Sequence, residues 1–352
     1  MSQTRPMETR TSAGLRRGVA VMMLVIFAPL LWLAQPVAVA QSLQEVSVAL
    51  DWYPNANHAG LFLAQERGYF AEEGLEVELY TPADPTVVLQ TVGAGRDTFG
   101  ISYQTDLLLA RAEGIPVVSV AALVQRPLLG IMSLANQSIA RPSDLVGKTV
   151  GYPGIPSQEA FLATMLESDG ASLDDIELVN VGFDLVPAVV SGQVDAVMGA
   201  YWTHETLLAE REGHDVDLLR VEDWGVPLYY ELVLAASEET VAADPATVQG
   251  FMRAMQRGYA DAARDQSAAL EALVAASPEL DREVEAAGLA LLAPVWTEGV
   301  PSIGVQSAER WQTYADWMVE RGLISDTLVV ENAFTSDLIS DESGTPMATP
   351  AA

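Results

Sequence analysis

The stretch "EVSVALDWYPNANHAGLFLAQERGYFAEEGLEVELY" (residues 45–80) decides how the rest of the chain is read. In "EVSVAL" (45–50) Glu45 and Ser47 alternate with Val46, Val48 and Leu50, the period-two pattern of a strand. "GLFLAQERGYFAEEG" (60–74) places apolar residues at helical spacing and stops at Gly74, and "LEVELY" (75–80) alternates again. Strand, loop, helix and strand form a β-α-β unit, which predicts a parallel sheet. The loop between the first strand and the helix joins Asp51, Trp52, Tyr53, Pro54, Asn55, Asn57 and His58. Three readings fit it: an acid/base pair of Asp51 and His58, an ordinary turn on Pro54 and Asn55, or a ligand clamp. In the clamp, Trp52 and Tyr53 offer flat apolar faces, while Asp51, Asn55, Asn57 and His58 offer donors and acceptors.

The unit recurs. Helices are expected at 85–95, 103–114 and 157–170, the last with Ser157 as its candidate N-cap. Strands are expected at 98–102, 116–124, 128–134, 148–152, 175–181, 216–221 and 230–237, and "DLVPAVVSGQVDAVMGAYW" (184–202) reads as helix, turn and strand. After residue 240 the chain becomes alanine-rich and helical, at 245–266, 267–277, 282–296 and 308–323. This order predicts an α/β protein of two lobes, with crossings near 127–133 and 227–236. Lobe one is expected at 43–128 plus 234–335, lobe two at 133–227, and a disordered tail at 336–352. Ligands of open α/β sheets sit beyond the carboxyl ends of the strands, which here face one another across a hinged cleft.

The N-terminus addresses the protein. "LRRG" (15–18) is basic, "VAVMMLVIFAPLLWLA" (19–34) is apolar, and "AVA" (38–40) is a small-x-small cleavage pattern before Gln41. Residues 1–40 read as a secretory signal peptide, or as an uncleaved membrane anchor, so the body of the protein is expected outside the cytoplasmic membrane. The formal net charge is −30, and removing four arginines and one glutamate with the leader makes it −33. A surface this acidic repels phosphate backbones, which argues against nucleic acid and favours a neutral or cationic small ligand. The absence of cysteine removes thiol catalysis, cysteine metal sites and a lipoprotein anchor, and Lys148 is the one lysine.

Four further clusters fall at expected strand ends: "SYQTD" (102–106), "GYPGIPSQEA" (151–160), "GAYWTHE" (199–205) and "WGVPLYYEL" (224–232). Each alone could be packing; together with the opening loop they suggest a ring-binding cleft. Enzymatic signatures are weak. His58, His204 and His214 have no metal spacing, no G-x-S-x-G elbow is present, and His204 and His214 read as surface residues.

"DWYPNANHAGLFLAQERGYFAEEGLEVEL", "GAGRDTFGISYQTDLLLARAEGIPVVSVAALVQRP", "DLVGKTVGYPGIPSQEA" and "VPLYYELVL" resemble the NMT1/THI5-like (SsuA/THI5-type) solute-binding proteins of the thiamine-pyrimidine-precursor group, over about residues 45–335. The resemblance implies a type II periplasmic binding protein fold with two α/β lobes joined by a two-strand hinge. It implies a monomer that delivers a small heteroaromatic ligand to an ABC transporter permease, with no catalysis, cofactor or metal, and touching the membrane only through the permease or an uncleaved N-terminal helix. The ligand implied is a formylaminopyrimidine or hydroxymethylpyrimidine, with riboflavin as the alternative. A sulfonate or nitrate binder, or a pyrimidine synthase, fits less well, since the family's fungal synthases use a lysine and a cysteine-rich motif. Carried over by motif, Trp52 with Tyr201 or Trp202 would stack the ring, and Asp51, Asn55 and His58 would bond its edge. Ser102, Tyr103 and Gln104 would line lobe one, and Gly154, Ser157 and Gln158 lobe two. Tyr229 and Glu231 would close over the ligand, with Glu231 equally a structural hinge carboxylate.

Overall fold

The computed structural model describes residues 42–339, so the expected signal peptide and residues 340–352 of the expected tail lie outside the described residues. Ten strands are formed: β1 Gln44–Ala49, β2 Leu75–Tyr80, β3 Phe99–Ser102, β4 Val117–Val124, β5 Leu129–Leu134, β6 Thr149–Tyr152, β7 Glu177–Asn180, β8 Ala196–Tyr201, β9 Val216–Arg220 and β10 Leu232–Ser237. They make two five-stranded sheets, ordered β2-β1-β3-β10-β4 and β7-β6-β8-β5-β9. The chain leaves the first sheet after Val124 and returns to it at Leu232. Both sheets are mixed rather than purely parallel. Strand β10 runs antiparallel to β3 and β4, and β5 antiparallel to β8 and β9, because each enters directly from the other lobe without a crossover helix.

Burial follows the period of the strands. In β8, Ala196 and Met198 join the large core while Val197 and Ala200 join a smaller one on the opposite face with Met132, Leu185 and Val189. Strand β4 is an edge strand by order, yet every residue in it is buried. Its outer edge is covered: Ser119 bonds to Ala333 and Thr335, and Ala122 exchanges two backbone hydrogen bonds with Gly304. Ser336, Leu338 and Ile339 are buried as well, Ile339 beside Gly304, so residues 336–339 belong to the packed body and not to a disordered tail.

The single helix expected over 60–74 is two, Ala59–Glu66 and Tyr69–Glu72. Gly68 between them takes φ +73°, a left-handed turn that ends the first helix. The first piece lies against the long helix Pro245–Arg264, and the contact depends on two glycines. A Cβ on Gly258 would stand 2.2 Å from the Gly60 carbonyl oxygen, and one on Gly60 would stand 2.3 Å from the Tyr259 ring. The Tyr259 hydroxyl then donates to the Asn57 carbonyl at 2.7 Å, so the same contact fixes the loop after β1. Gly258→Ala should therefore lower unfolding free energy by about 1–3 kcal/mol, the usual range for overpacking. Urea unfolding checks this: the midpoint should fall with an unchanged slope.

Candidate functional site

The carboxyl ends of β1, β3 and β8, with the helix that follows β6, meet between the sheets. Asp51, Trp52, Asn55 and Tyr103 from lobe one face Gln158, Gly199, Tyr201, His204 and Glu205 from lobe two around a space of about 10 Å³.

The loop after β1 is built by its own polar groups. Asn55 caps the short turn Ala56–His58, its Oδ1 accepting from the backbone and side-chain amides of Asn57, both at 2.9 Å. The Asn55 backbone N–H donates to His58 Nδ1 at 3.2 Å, which leaves the ring proton on Nε2 to be donated to Asp51 Oδ1 at 2.9 Å. The Tyr103 hydroxyl donates to Asp51 Oδ2 at 3.2 Å, and burial pushes its pKa well above the usual tyrosine value, keeping it a donor. Both Asp51 oxygens are thus engaged inside lobe one. His58 is fully buried behind Asp51 and does not line the space, so it orients the loop rather than facing a ring edge. Trp52 is half-buried and packs against both cores, its ring edge-to-face with Phe183 of lobe two at 4.4 Å. Tyr53, at the rim, lies 4.5 Å from the same ring.

Lobe two supplies acceptors. Gln158 Oε1 is buried without a hydrogen-bond partner, and Glu205 Oε2 accepts from the Tyr201 backbone N–H at 2.8 Å. His204, expected on the surface, lines the space, with its Nδ1 3.4 Å from Glu285 Oε1. Glu285 accepts from the Ala56 N–H at 2.7 Å, and burial raises its pKa.

Several other residues lie elsewhere than expected. Trp202 points away from the space, its indole donating to the Pro127 carbonyl while Arg220 sits 4.8 Å over its ring. β8 ends at Tyr201 and the chain turns at once, the His204 N–H donating to the Tyr201 carbonyl at 3.2 Å, so Tyr201 and Trp202 leave the strand end in different directions. Tyr229 is buried in the hinge, its ring 5.2 Å from both Phe161 and Tyr314. Gln104 receives the Tyr230 N–H at 2.7 Å, and Gly154 abuts Asn180 at the end of β7. Ser157 is not an N-cap: the helix Pro156–Ser168 starts on Pro156, and the Ser157 hydroxyl instead donates across the lobes to Asp106 at 2.6 Å. Burial pushes Asp106 up to about 6. Ser102 lines an adjoining groove. Phe183 and Glu285 were missed by sequence reasoning. "NVGFDLV" (180–186) follows an expected strand and could have drawn attention to Phe183, whereas nothing local marks Glu285, in the first turn of the helix Arg282–Leu292.

Glu231 joins both crossings. One of its oxygens accepts from the Leu128 N–H at 2.6 Å and the Tyr229 hydroxyl at 3.0 Å, and the other from the Tyr201 hydroxyl at 3.1 Å. Burial outweighs these donors and pushes its pKa up to about 7, from 4.5 in the unfolded chain. Between those values the folded state keeps a proton that the unfolded chain has lost. Stability from this group is therefore full below about pH 4.5 and is lost as pH rises through about 7. Glu231→Gln cannot ionise, so wild-type stability relative to the variant should fall by up to about 3 kcal/mol across that window. Denaturant titrations at a series of pH values measure the difference; parallel profiles would remove Glu231 as the source.

Residues 55–269 match the NMT1/THI5 like family. The formylaminopyrimidine-binding protein of Halalkalibacterium halodurans is 41% identical over 300 residues, 84% of this chain and 91% of that protein. The 4-amino-5-hydroxymethyl-2-methylpyrimidine phosphate synthase of Aspergillus parasiticus is 30% identical over 247 residues, 67% of this chain and 72% of that enzyme. Among solved structures, the alkanesulfonate-binding protein SsuA from Xanthomonas axonopodis pv. citri bound to MOPS superposes with a TM-score of 0.67 at 18% identity, over 83% of this chain and 98% of that one, a likeness of fold. A type II periplasmic binding protein fold, with the "DWYPNANH" loop at its interlobe cleft, thus belongs to a chain that is a member of the NMT1/THI5-like family.

Proposed function

We propose that this protein is the extracytoplasmic solute-binding component of an ABC importer, and that it captures a thiamine pyrimidine precursor of the formylaminopyrimidine or hydroxymethylpyrimidine type between its lobes. The observation that carries this reading is the pairing of aromatic faces with acceptors across the cleft. Trp52 and Tyr201 offer ring surface, while the unpartnered Gln158 Oε1 and the carboxylate of Glu205 suit the donors of an amino-substituted ring. The identity to a formylaminopyrimidine-binding protein supports the same ligand class.

Synthase chemistry through a lysine has no support in the cleft. Lys148 precedes β6, about 13 Å of strand away from the cleft end, and pairs with Asp195 at 3.9 Å. Capture requires the lobes to part, because small-molecule sites measure about 300–1,000 Å³ and the space here is about 10 Å³. The contacts that must break include the Trp52–Phe183 and Tyr53–Phe183 ring contacts, the Ser157–Asp106 hydrogen bond, the buried approach of His204 to Glu285, and ion pairs such as Arg321–Glu167 and Arg211–Asp281. Of these the solvent-facing ion pairs contribute little, about 0–1 kcal/mol each.

Calorimetry and thermal shift against aminopyrimidines, thiamine and flavins test the reading, since a tight ligand raises the melting temperature. A formylaminopyrimidine should bind, and Trp52→Ala should weaken it tenfold or more. A flavin binding in its place would move the function to riboflavin capture, and product formed from pyridoxal phosphate would overturn it. Export predicts a mature N-terminus at Gln41 by mass spectrometry; an intact leader would mean that the protein stays tethered.

A further inference from the structure

The lobes also meet outside the cleft, along one face of the helix Arg282–Leu292 of lobe one. Asp281, Glu285 and Gly288 are spaced four and then three positions apart, which puts them on a common face. Each meets lobe two. Asp281 caps the helix with Oδ1, and its Oδ2 accepts from Arg211 Nε at 3.1 Å. Glu285 Oε1 lies 3.4 Å from His204 Nδ1. Gly288 seats the Thr203 carbonyl, since a Cβ there would stand 2.7 Å from that oxygen. His204 lines the space between the sheets, whereas Asp281, Glu285, Gly288, Thr203 and Arg211 do not.

The centre of this seam is dry and short of hydrogen bonds. Thr203 Oγ1 and His204 Nδ1 are buried without a partner, a condition proteins rarely leave unmet. Glu285 Oε2 is already engaged by the Ala56 N–H. A bare imidazole nitrogen and a carboxylate oxygen are both acceptors, so their approach requires a proton between them. A neutral ring can supply it from Nδ1, but the buried pair then carries a net negative charge beside the carboxylates of Glu205 and Asp51. A further proton makes the pair neutral, the form that burial favours. The same effect raises the Glu285 pKa: burial is the largest cause and Glu205 adds to it, while His204, the Ala56 N–H and His58 oppose it. The other charged groups on this helix are paired at its solvent-facing end, Arg211 with Asp281 and Glu283, and Arg282 with Glu271.

We propose that this helix face is a proton-dependent latch on lobe closure, with His204 and Glu285 as its titrating pair and Gly288 as its seat. In the open form the ring and the carboxylate part into water and titrate independently, and a free imidazole is largely neutral above about pH 7. Closure brings them together and takes up a proton. The closed form therefore gains on the open form at mildly acidic pH. Its advantage falls as pH rises, by up to about tenfold per unit, through the range in which the closed pair keeps a proton that the open pair has lost. The latch concerns closure itself, so it does not depend on which ligand the cleft takes.

Small-angle X-ray scattering of the ligand-free protein, from about pH 5.5 to about pH 8.5, spans the range in which an imidazole changes charge. The wild-type radius of gyration should increase with pH as the lobes part. Glu285→Gln still accepts from Ala56 and offers its amide to His204 without titrating, so its radius should stay at the compact value throughout. Gly288→Val blocks the seat and should give the larger radius at every pH, with circular dichroism to check that it is folded; if it is not, the isosteric Glu285→Gln decides. Asp106→Asn and Glu231→Gln remove the other titrating groups that join the lobes, and each should keep the wild-type trend. A wild-type radius independent of pH, or a trend that survives Glu285→Gln, would overturn the latch. So would a trend that disappears in Asp106→Asn or Glu231→Gln, or a folded Gly288→Val protein that stays compact.

Discussion

Glu231 is the constraint on which the two-lobed arrangement depends. A carboxylate buried completely is costly unless its oxygens are satisfied. Here the donors come from three parts of the chain: Leu128 on the outgoing crossing, Tyr229 on the returning one and Tyr201 at the end of β8. The two crossings and the end of β8 thus meet on one buried carboxyl group, which holds them in one geometry. Around this node Tyr229 packs between Phe161 of lobe two and Tyr314 of lobe one.

The cleft itself follows from that frame. On one wall, the Asp51–His58–Asn55 network converts a loop of polar residues into a fixed platform, and Tyr259 and Glu285 anchor it from helices far along the chain. On the other wall, Phe183, His204 and Glu205 complete the enclosure. Contacts between the walls combine the Trp52–Phe183 ring pair, the Ser157–Asp106 hydrogen bond and the approach of His204 to Glu285. A ligand that bonds to both walls can shift the balance between open and closed forms.

Much of this was legible in the sequence. The alternation in "EVSVAL" and "LEVELY" located β1 and β2, and the position of "DWYPNANH" after a strand placed it at the cleft. The failures share a cause. Trp52, Tyr201 and Trp202 look alike as aromatic residues near strand ends, but the side each occupies depends on where the strand stops and the chain turns, and β8 ends on Tyr201 in the cleft while Trp202, in the turn, points outside it. His58 and Ser157 carry functional-looking groups whose partners, Asp51 and Asp106, engage them in positioning the loop and bridging the lobes. His204 reads as a surface histidine until the helix Arg282–Leu292 is packed against it.

By itself the sequence determined the α/β class, the order of the strands along the chain, the absence of thiol chemistry and the loop that forms one wall of the cleft. These are set by local periodicity, composition and turn chemistry, which act over a few residues. Only the tertiary structure decided that Glu231 is a hinge node, that Phe183 meets Trp52, that Glu285 reaches the loop after β1, and that Ser102 lines an adjoining groove. Each of these joins residues tens to hundreds of positions apart. Such contacts are fixed by the packing of whole lobes, which no local pattern encodes.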